Sequence, residues 1–254
     1  MIATVWKSAA ISACVPILLI GVQPAQAQTL PPAPSTSSWF IDVGAGWDNV
    51  ISGNINSSGI GQINNQAVVI KANSFDDVFG TGLQMRFGGG YAFSDATEVT
   101  AAFFFQSSEA DEITAMGDIG VSNLYARYTD YETWGLDLGL RRYMKVSSSL
   151  RAYGEGVVGI GVIDETDVTL VAPTVNLAGN ATDFYDQTAA LGFGGNFGLL
   201  YQTGGRMGFY GQMGLRWMSG MSEIDDLQGT GLDDINDDSS RWSIPFIGGV
   251  RVRF

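Results

Sequence analysis

The sequence contains no histidine. Lipid hydrolases, acyltransferases and proteases that use a histidine beside Ser or Asp therefore have no base here. A paired-carboxylate site remains chemically open, but no spacing of acidic residues marks one, and an enzyme is not expected. Cysteine is nearly absent as well. Cys14 stands alone inside a segment expected to be removed, which excludes disulfides and thiol chemistry from the mature chain. Charge is sparse and one-sided: 15% of residues are charged, with 13 Lys and Arg against 26 Asp and Glu, for a formal net charge of −13. So acidic a chain is not expected to bind nucleic acid. Past the N-terminus no apolar run approaches the roughly 20 residues that a membrane-spanning helix needs.

The one long apolar run is at the start. Lys7 precedes an apolar stretch from Ala9 to Val22, and Ala25, Gln26 and Ala27 follow it, the order of a secretory signal with a small-residue cleavage site. Pro16 interrupts the run, which is shorter than a helical span requires, so a transmembrane helix is rejected. Ile11 to Cys14 has the spelling of a lipoprotein box. Most of the apolar core lies beyond Cys14, however, where such a signal has already ended. Residues 1–27 are read as a cleaved signal peptide, 28–38 as a Pro/Ser-rich periplasmic linker and 39–254 as the folded domain.

What the chain has in excess is glycine, 34 residues, and aromatics, at 11%. That mixture is unusual for a soluble helical or α/β protein. From Trp39 onward the dominant period is two. Trp39, Ile41, Val43, Ala45 and Trp47 alternate with Asp42, Gly44, Gly46 and Asp48. The same alternation recurs over about 79–93, 98–106, 134–144, 150–162, 187–201, 209–217 and 242–254, giving eight expected strands. Three connections are short turns, at Ser94–Ala96, Ser147–Ser149 and Thr203–Gly205. Four are long, near residues 51–78, 107–133, 163–186 and 219–240, and long alternates strictly with short.

A soluble β-sandwich has no reason to keep that alternation, whereas a barrel with both termini on one side of a membrane requires it. With no helix able to span, a membrane chain must satisfy its backbone between strands. The expected fold is all-β: an eight-stranded antiparallel transmembrane β-barrel with short periplasmic turns and four long extracellular loops. Trp39, Trp47, Trp134, Trp217 and Trp242 all fall on the apolar face near strand ends. Tyr91, Phe93, Tyr201, Phe209 and Phe254 cluster at the turn side. Two aromatic belts at two interfaces are the expected pattern of a bilayer.

The segment Trp242–Phe254, with alternating apolar residues Val250 and Val252 and a terminal Phe254, resembles the closing strand of bacterial outer-membrane proteins. From Trp39 on, the chain resembles the small eight-stranded barrels of the OmpA-like transmembrane and opacity/porin type. The resemblance implies a Gram-negative outer membrane, with its lipids and lipopolysaccharide as surroundings. It also implies a barrel-assembly machinery that reads Val250, Val252 and Phe254 as an assembly signal. With the sequence ending at Phe254, the peptidoglycan-binding domain that follows some of these barrels is not expected.

Two motif spellings lead nowhere. Gly154 to Gly159 matches G-x-G-x-x-G, but it sits inside a strand instead of opening a helix, so no dinucleotide site is expected. Asp234, Asn236 and Asp238 begin like a calcium loop, yet Ser239 stands where Gly is needed and Pro245 where Glu is needed. No metal site and no cofactor are expected. The long loops carry acidic runs, at Glu109, Asp111 and Glu112, at Asp164, Glu165 and Asp167, and around Glu223–Asp238. Loose divalent-cation binding is the only chemistry they suggest.

The inward face holds the remaining signal. Alternation points Arg86, Arg141, Arg151, Arg216, Arg251 and Arg253 inward, together with Asp42, Glu98, Asp137 and Glu155. In the fifth strand the inward register is chosen because Arg151 and Glu155 would otherwise face lipid, at about 2–4 kcal/mol for an arginine at mid-bilayer. The expected lumen network is Arg86, Glu98, Asp137, Arg141, Glu155, Arg216 and Arg251, with each Arg of the second to fifth strands reaching a carboxylate on an adjacent strand. An eight-stranded barrel encloses little more than its own side chains. The expected function is a plugged structural or interaction barrel displaying four acidic loops for envelope integrity, surface contact with an unidentified ligand, or divalent-mediated lipopolysaccharide packing. The alternative is a narrow passive channel for small solutes, favoured by inward glycines at Gly44, Gly88, Gly90, Gly192 and Gly194.

Overall fold

The computed structural model describes residues 38–254, apart from 64, 176, 179–181, 204, 224–230, 233 and 237–238. The expected signal peptide, nearly all of the linker and the calcium-like residue Asp238 lie outside the described residues.

The period-two segments form eight long strands: β1 (Ser38–Ser52), β2 (Gly82–Ser94), β3 (Thr97–Ser108), β4 (Tyr131–Lys145), β5 (Leu150–Ile163), β6 (Thr188–Gln202), β7 (Met207–Met218) and β8 (Arg241–Arg253). Each pairs antiparallel with its sequence neighbours, and β8 returns to β1 to close the barrel. The closing ladder runs from Phe40 opposite Arg253 to Asp48 opposite Pro245 and on to Ser52 opposite Trp242. Closure leaves no edge with unpaired backbone. The fold class expected from the alternation is the one observed.

The faces are inverted relative to a soluble protein. In β1 the exposed positions are Trp39, Ile41, Val43 and Trp47, while Phe40, Asp42 and Asp48 are buried. The same holds around the wall. Leu136, Leu138 and Leu140 are each close to 60% exposed, whereas Asp137 and Arg141, on the opposite parity, are each 2% exposed. Trp39, Trp47 and Trp134 are exposed, and Trp217 and Trp242 are half-buried because both stack against Phe193, at ring distances of 5.0 and 5.9 Å. At the turn end Trp39, Tyr91 and Phe93 form a chain of rings 5.0 and 5.1 Å apart.

The loop end differs from expectation. The stretches read as solvated acidic loops contain short strands that build a second sheet. Its order is 222–223, 182–186, 166–172, 122–128, 114–119, 66–70, 59–63, with 177–178 attached to 166–172. All four long connections contribute, so they form one cap. Its core gathers Ile55, Val68, Phe75, Met116, Leu124, Phe184 and Tyr185, each at most 2% exposed. A single-turn helix, α1 (Phe75–Val78), drops Phe75 and Val78 into that core. This also moves the start of β2. Phe79, read as its first residue, is buried in the cap beside Tyr128 and Tyr131, and the strand starts at Gly82.

Candidate functional site

The inward side chains of the barrel meet in two ion-pair clusters. In the first, Asp137 of β4 is bracketed by Arg86 of β2 at 3.0 Å and Arg216 of β7 at 2.8 Å. The Arg216 guanidinium also lies 4.1 Å from the centre of the Phe104 ring, a cation–π contact. The second cluster is a chain. Arg251 of β8 donates Nε and Nη2 to the two oxygens of Asp42, both at 2.7 Å, a bidentate fork. The same guanidinium donates to Glu98 at 2.7 Å, and Arg253 donates to the other Glu98 oxygen at 2.8 Å. Arg141 links Asp42 at 3.4 Å to Glu155 at 3.2 Å.

Neutral partners complete the carboxylates. Glu155 accepts from Thr100 Oγ1 at 2.7 Å and from Asn196 Nδ2 at 3.0 Å. Glu98 accepts from the Tyr143 hydroxyl at 2.9 Å. The arginines stack on rings: Arg251 over Phe40 at 3.8 Å and Arg141 over Tyr153 at 4.4 Å. Tyr143, Tyr153, Leu200, Tyr210 and Ile247 form a cluster of rings and aliphatic side chains inside the barrel. Toward the loop end, Arg241 lies 4.0 Å over the Tyr131 ring, at the base of the cap core.

All seven residues expected in the lumen network are buried and ion-paired. The pairing scheme differs. Arg141 pairs with Glu155 on the adjacent β5, directly opposite in register. Arg86 and Glu98 do not pair with each other. Arg86 reaches past β3 to Asp137 on β4, and Glu98 reaches Arg251 and Arg253 on β8. In a narrow lumen long side chains converge at the axis, so depth selects the partner and strand adjacency does not. Arg151 is half-buried at the rim and donates to the Asp95 carbonyl at 2.9 Å.

Asp42 and Arg253, read as inward but left out of the expected network, are integral to it. The inward register chosen for Arg151 and Glu155 carries Tyr153 with it, whereas the aromatic partners Phe40 and Tyr143 were missed. Parity was the available signal, since Tyr143 and Tyr153 lie two residues from Arg141 and Glu155 on the same faces.

The inward glycines are not gaps. A Cβ at Gly44 would meet the Tyr210 hydroxyl, and one at Gly90 would stand 2.6 Å from the Phe40 ring. At Gly192 the Arg216 guanidinium is 3.4 Å away, and at Gly88 and Gly194 the backbone of the next strand lies within 2.8 Å and 2.5 Å. The missing side chains make room for neighbouring side chains and close strand packing.

In the cap, the Tyr128 hydroxyl donates to Asn56 Oδ1 at 3.3 Å, and burial raises its pKa well above the usual range for a phenol. On the surface, the Ser74 hydroxyl and amide donate to Asp77 at 2.5 and 2.9 Å and lower that carboxyl below its ordinary value. Asp76, Glu109, Asp111, Glu112, Asp118, Asp186 and Asp234 are exposed on the same end, and among the described residues no acidic group has a metal-holding arrangement.

This geometry defines a class: a closed eight-stranded barrel with a charged, ring-packed interior, an apolar exterior and a folded cap. No protein-family model matches the sequence, and no curated protein matches it. Among solved structures it is similar to Neisserial surface protein A, at 12% identity and a TM-score of 0.43, covering 85% of this chain and 97% of that one. It is also similar to the outer membrane protein OprG from Pseudomonas aeruginosa, at 14% identity and a TM-score of 0.39, covering 86% and 96% of the two chains. The outer membrane protein AlkL in lipid bilayers is similar at 13% identity and a TM-score of 0.39, covering 91% and 97%. Likeness at that level carries no functional weight, and the fold rests on the closed strand path of the chain itself.

Proposed function

We propose that this chain is an outer-membrane barrel of a Gram-negative envelope, non-conducting and non-enzymatic, that holds a folded acidic cap at the cell surface. The observation that carries this reading is the inversion of faces. Exposed apolar side chains circle the barrel while Arg86, Arg141, Arg216, Arg251, Asp42, Glu98, Asp137 and Glu155 are inside. Soluble proteins rarely expose contiguous apolar patches beyond a few hundred Å², and only lipid makes a belt on all eight strands favourable. The cap then faces outward, the turns face the periplasm, and Phe254, at the turn end beside Trp39, sits where assembly factors meet the closing strand. Two features support a closed lumen: the paired clusters, and the cap core stacked above them.

Conductance across a planar bilayer tests this reading. The refolded protein is expected to show no single-channel events above the lipid baseline, and discrete steady openings would favour the passive channel instead. Orientation has its own test. A protease site inserted at Val121, which is 92% exposed at the tip of a cap hairpin, should be cut on intact cells. One placed at Ser148 should be cut only after the outer membrane is breached. The reverse pattern would overturn the topology.

A further inference from the structure

The outward positions of the eight strands carry almost no charge. Glu132, at the loop end, is one exception and Arg142 of β4 is the other. Arg142 points to the exterior between exposed Leu140 and Met144, and no side-chain hydrogen bond or ion pair holds it among the described residues. Its register partners are Thr97, the first residue of β3, and Gly154 of β5, which puts it close to the turn end of the wall.

Beside it the exterior is grooved. A depression of about 840 Å³ crosses the turn-end half of the wall, lined by Met144, Ala152, Gly154, Phe197, Leu199 and Phe209, among others. Its floor is low because Gly154 and Gly211 lack side chains. A Cβ at Gly211 would meet nothing within 4 Å, and one at Gly154 only the Phe197 ring at 3.8 Å. These glycines therefore differ from the inward ones: they leave real space on the lipid side. Exposed Lys145 and Arg206 add positive charge at the same end, where Asp95 is the only acidic side chain among the described turn residues. The turn end is thus cationic on a protein whose formal net charge is −13.

We propose that Arg142 and this groove bind one anionic glycerophospholipid of the periplasmic leaflet. The phosphate sits on the Arg142 guanidinium and an acyl chain lies over Gly154 and Gly211. A planar guanidinium matches phosphate oxygens in a bidentate fork, and an arginine facing hydrocarbon is tolerated only where it reaches a headgroup. The surplus of Lys145 and Arg206 favours a headgroup with net negative charge over a zwitterionic one. Phe197 and Leu199 of β6 stand between the two glycine positions and give the acyl chain apolar walls to pack against.

This site rests on the membrane reading above, and the test separates the two. The full mature protein is refolded into liposomes, extracted into detergent with equimolar phosphatidylglycerol and phosphatidylethanolamine, and weighed by native mass spectrometry. One retained phosphatidylglycerol per barrel is expected. Arg142→Gln should lower its retention at least tenfold, Arg142→Lys should restore part of it, and Gly211→Leu should expel both lipids by filling the groove. Equal retention of the two lipids by the wild type, or retention unchanged in Arg142→Gln, overturns the site. Heat-modifiable gel migration of the same samples reports folding: a folded barrel without bound lipid defeats the site alone, whereas failure to fold into liposomes defeats the membrane reading and the site together.

Discussion

Replacing Asp137 with alanine is expected to lower the urea stability of the refolded barrel by about 3–5 kcal/mol, because two buried arginines lose their carboxylate. Arg86 and Arg216 both end on Asp137, and among the described residues neither forms an ion pair with another carboxylate. Glu155→Ala should cost less. Its arginine, Arg141, keeps Asp42 at 3.4 Å, and Thr100 and Asn196 are neutral. The ratio is the informative quantity: chemical-denaturation curves in liposomes should rank wild type above Glu155→Ala above Asp137→Ala. The surface variant Asp76→Ala should stay near wild type, since an exposed carboxylate has little pairing to lose. If Asp137→Ala retains wild-type stability, the cluster contributes nothing to holding the barrel, and the case for a closed lumen loses its main energetic support.

Leu138→Arg is the second large effect, and its size depends on the solvent outside the wall. Leu138 is 60% exposed in the middle of β4, between Leu136 and Leu140. On a soluble protein an exposed leucine changed to arginine shifts stability by no more than about 0.5 kcal/mol. At the midplane of a bilayer the same change costs roughly 2–4 kcal/mol, because the guanidinium is too far from either headgroup layer. Refolding titrations in liposomes should show the larger loss for Leu138→Arg. A leucine-to-arginine change at Leu83, also outward but at the loop end of β2, should show much less. Equal and small losses at both sites would mean that the apolar belt does not face lipid.

The alternation in Trp39–Asp48 and in Trp134–Arg141 determines the strands, their faces and their inversion, because a strand has a period of two and needs no distant information. The same parity places every lumen charge on the correct side of the wall. It also puts Arg142 outside, a charge on an apolar face that was not singled out from the sequence. Partner choice was not legible. Arg86 meets Asp137 across the barrel because all inward side chains share one axis, and that meeting depends on strand tilt and depth, which the order of residues along one strand does not state.

The cap was hidden for a different reason. Ser122–Tyr128 does alternate, Gln66–Ile70 alternates only in burial, and Asn65 and Gly120 hold the positive φ of tight turns between short strands. Those strands are too short to stand alone, and two-stranded hairpins are marginal in water. They become stable only when all four loops bring Ile55, Leu124, Phe184 and Ile235 together over the barrel mouth. That juxtaposition depends on the closed barrel, which brings the four loops to one end. The composition and period of this chain therefore determined a barrel turned inside out. Tertiary structure alone decided which arginine holds which carboxylate and that the acidic loops share one buried core, because both depend on distances between segments far apart in sequence.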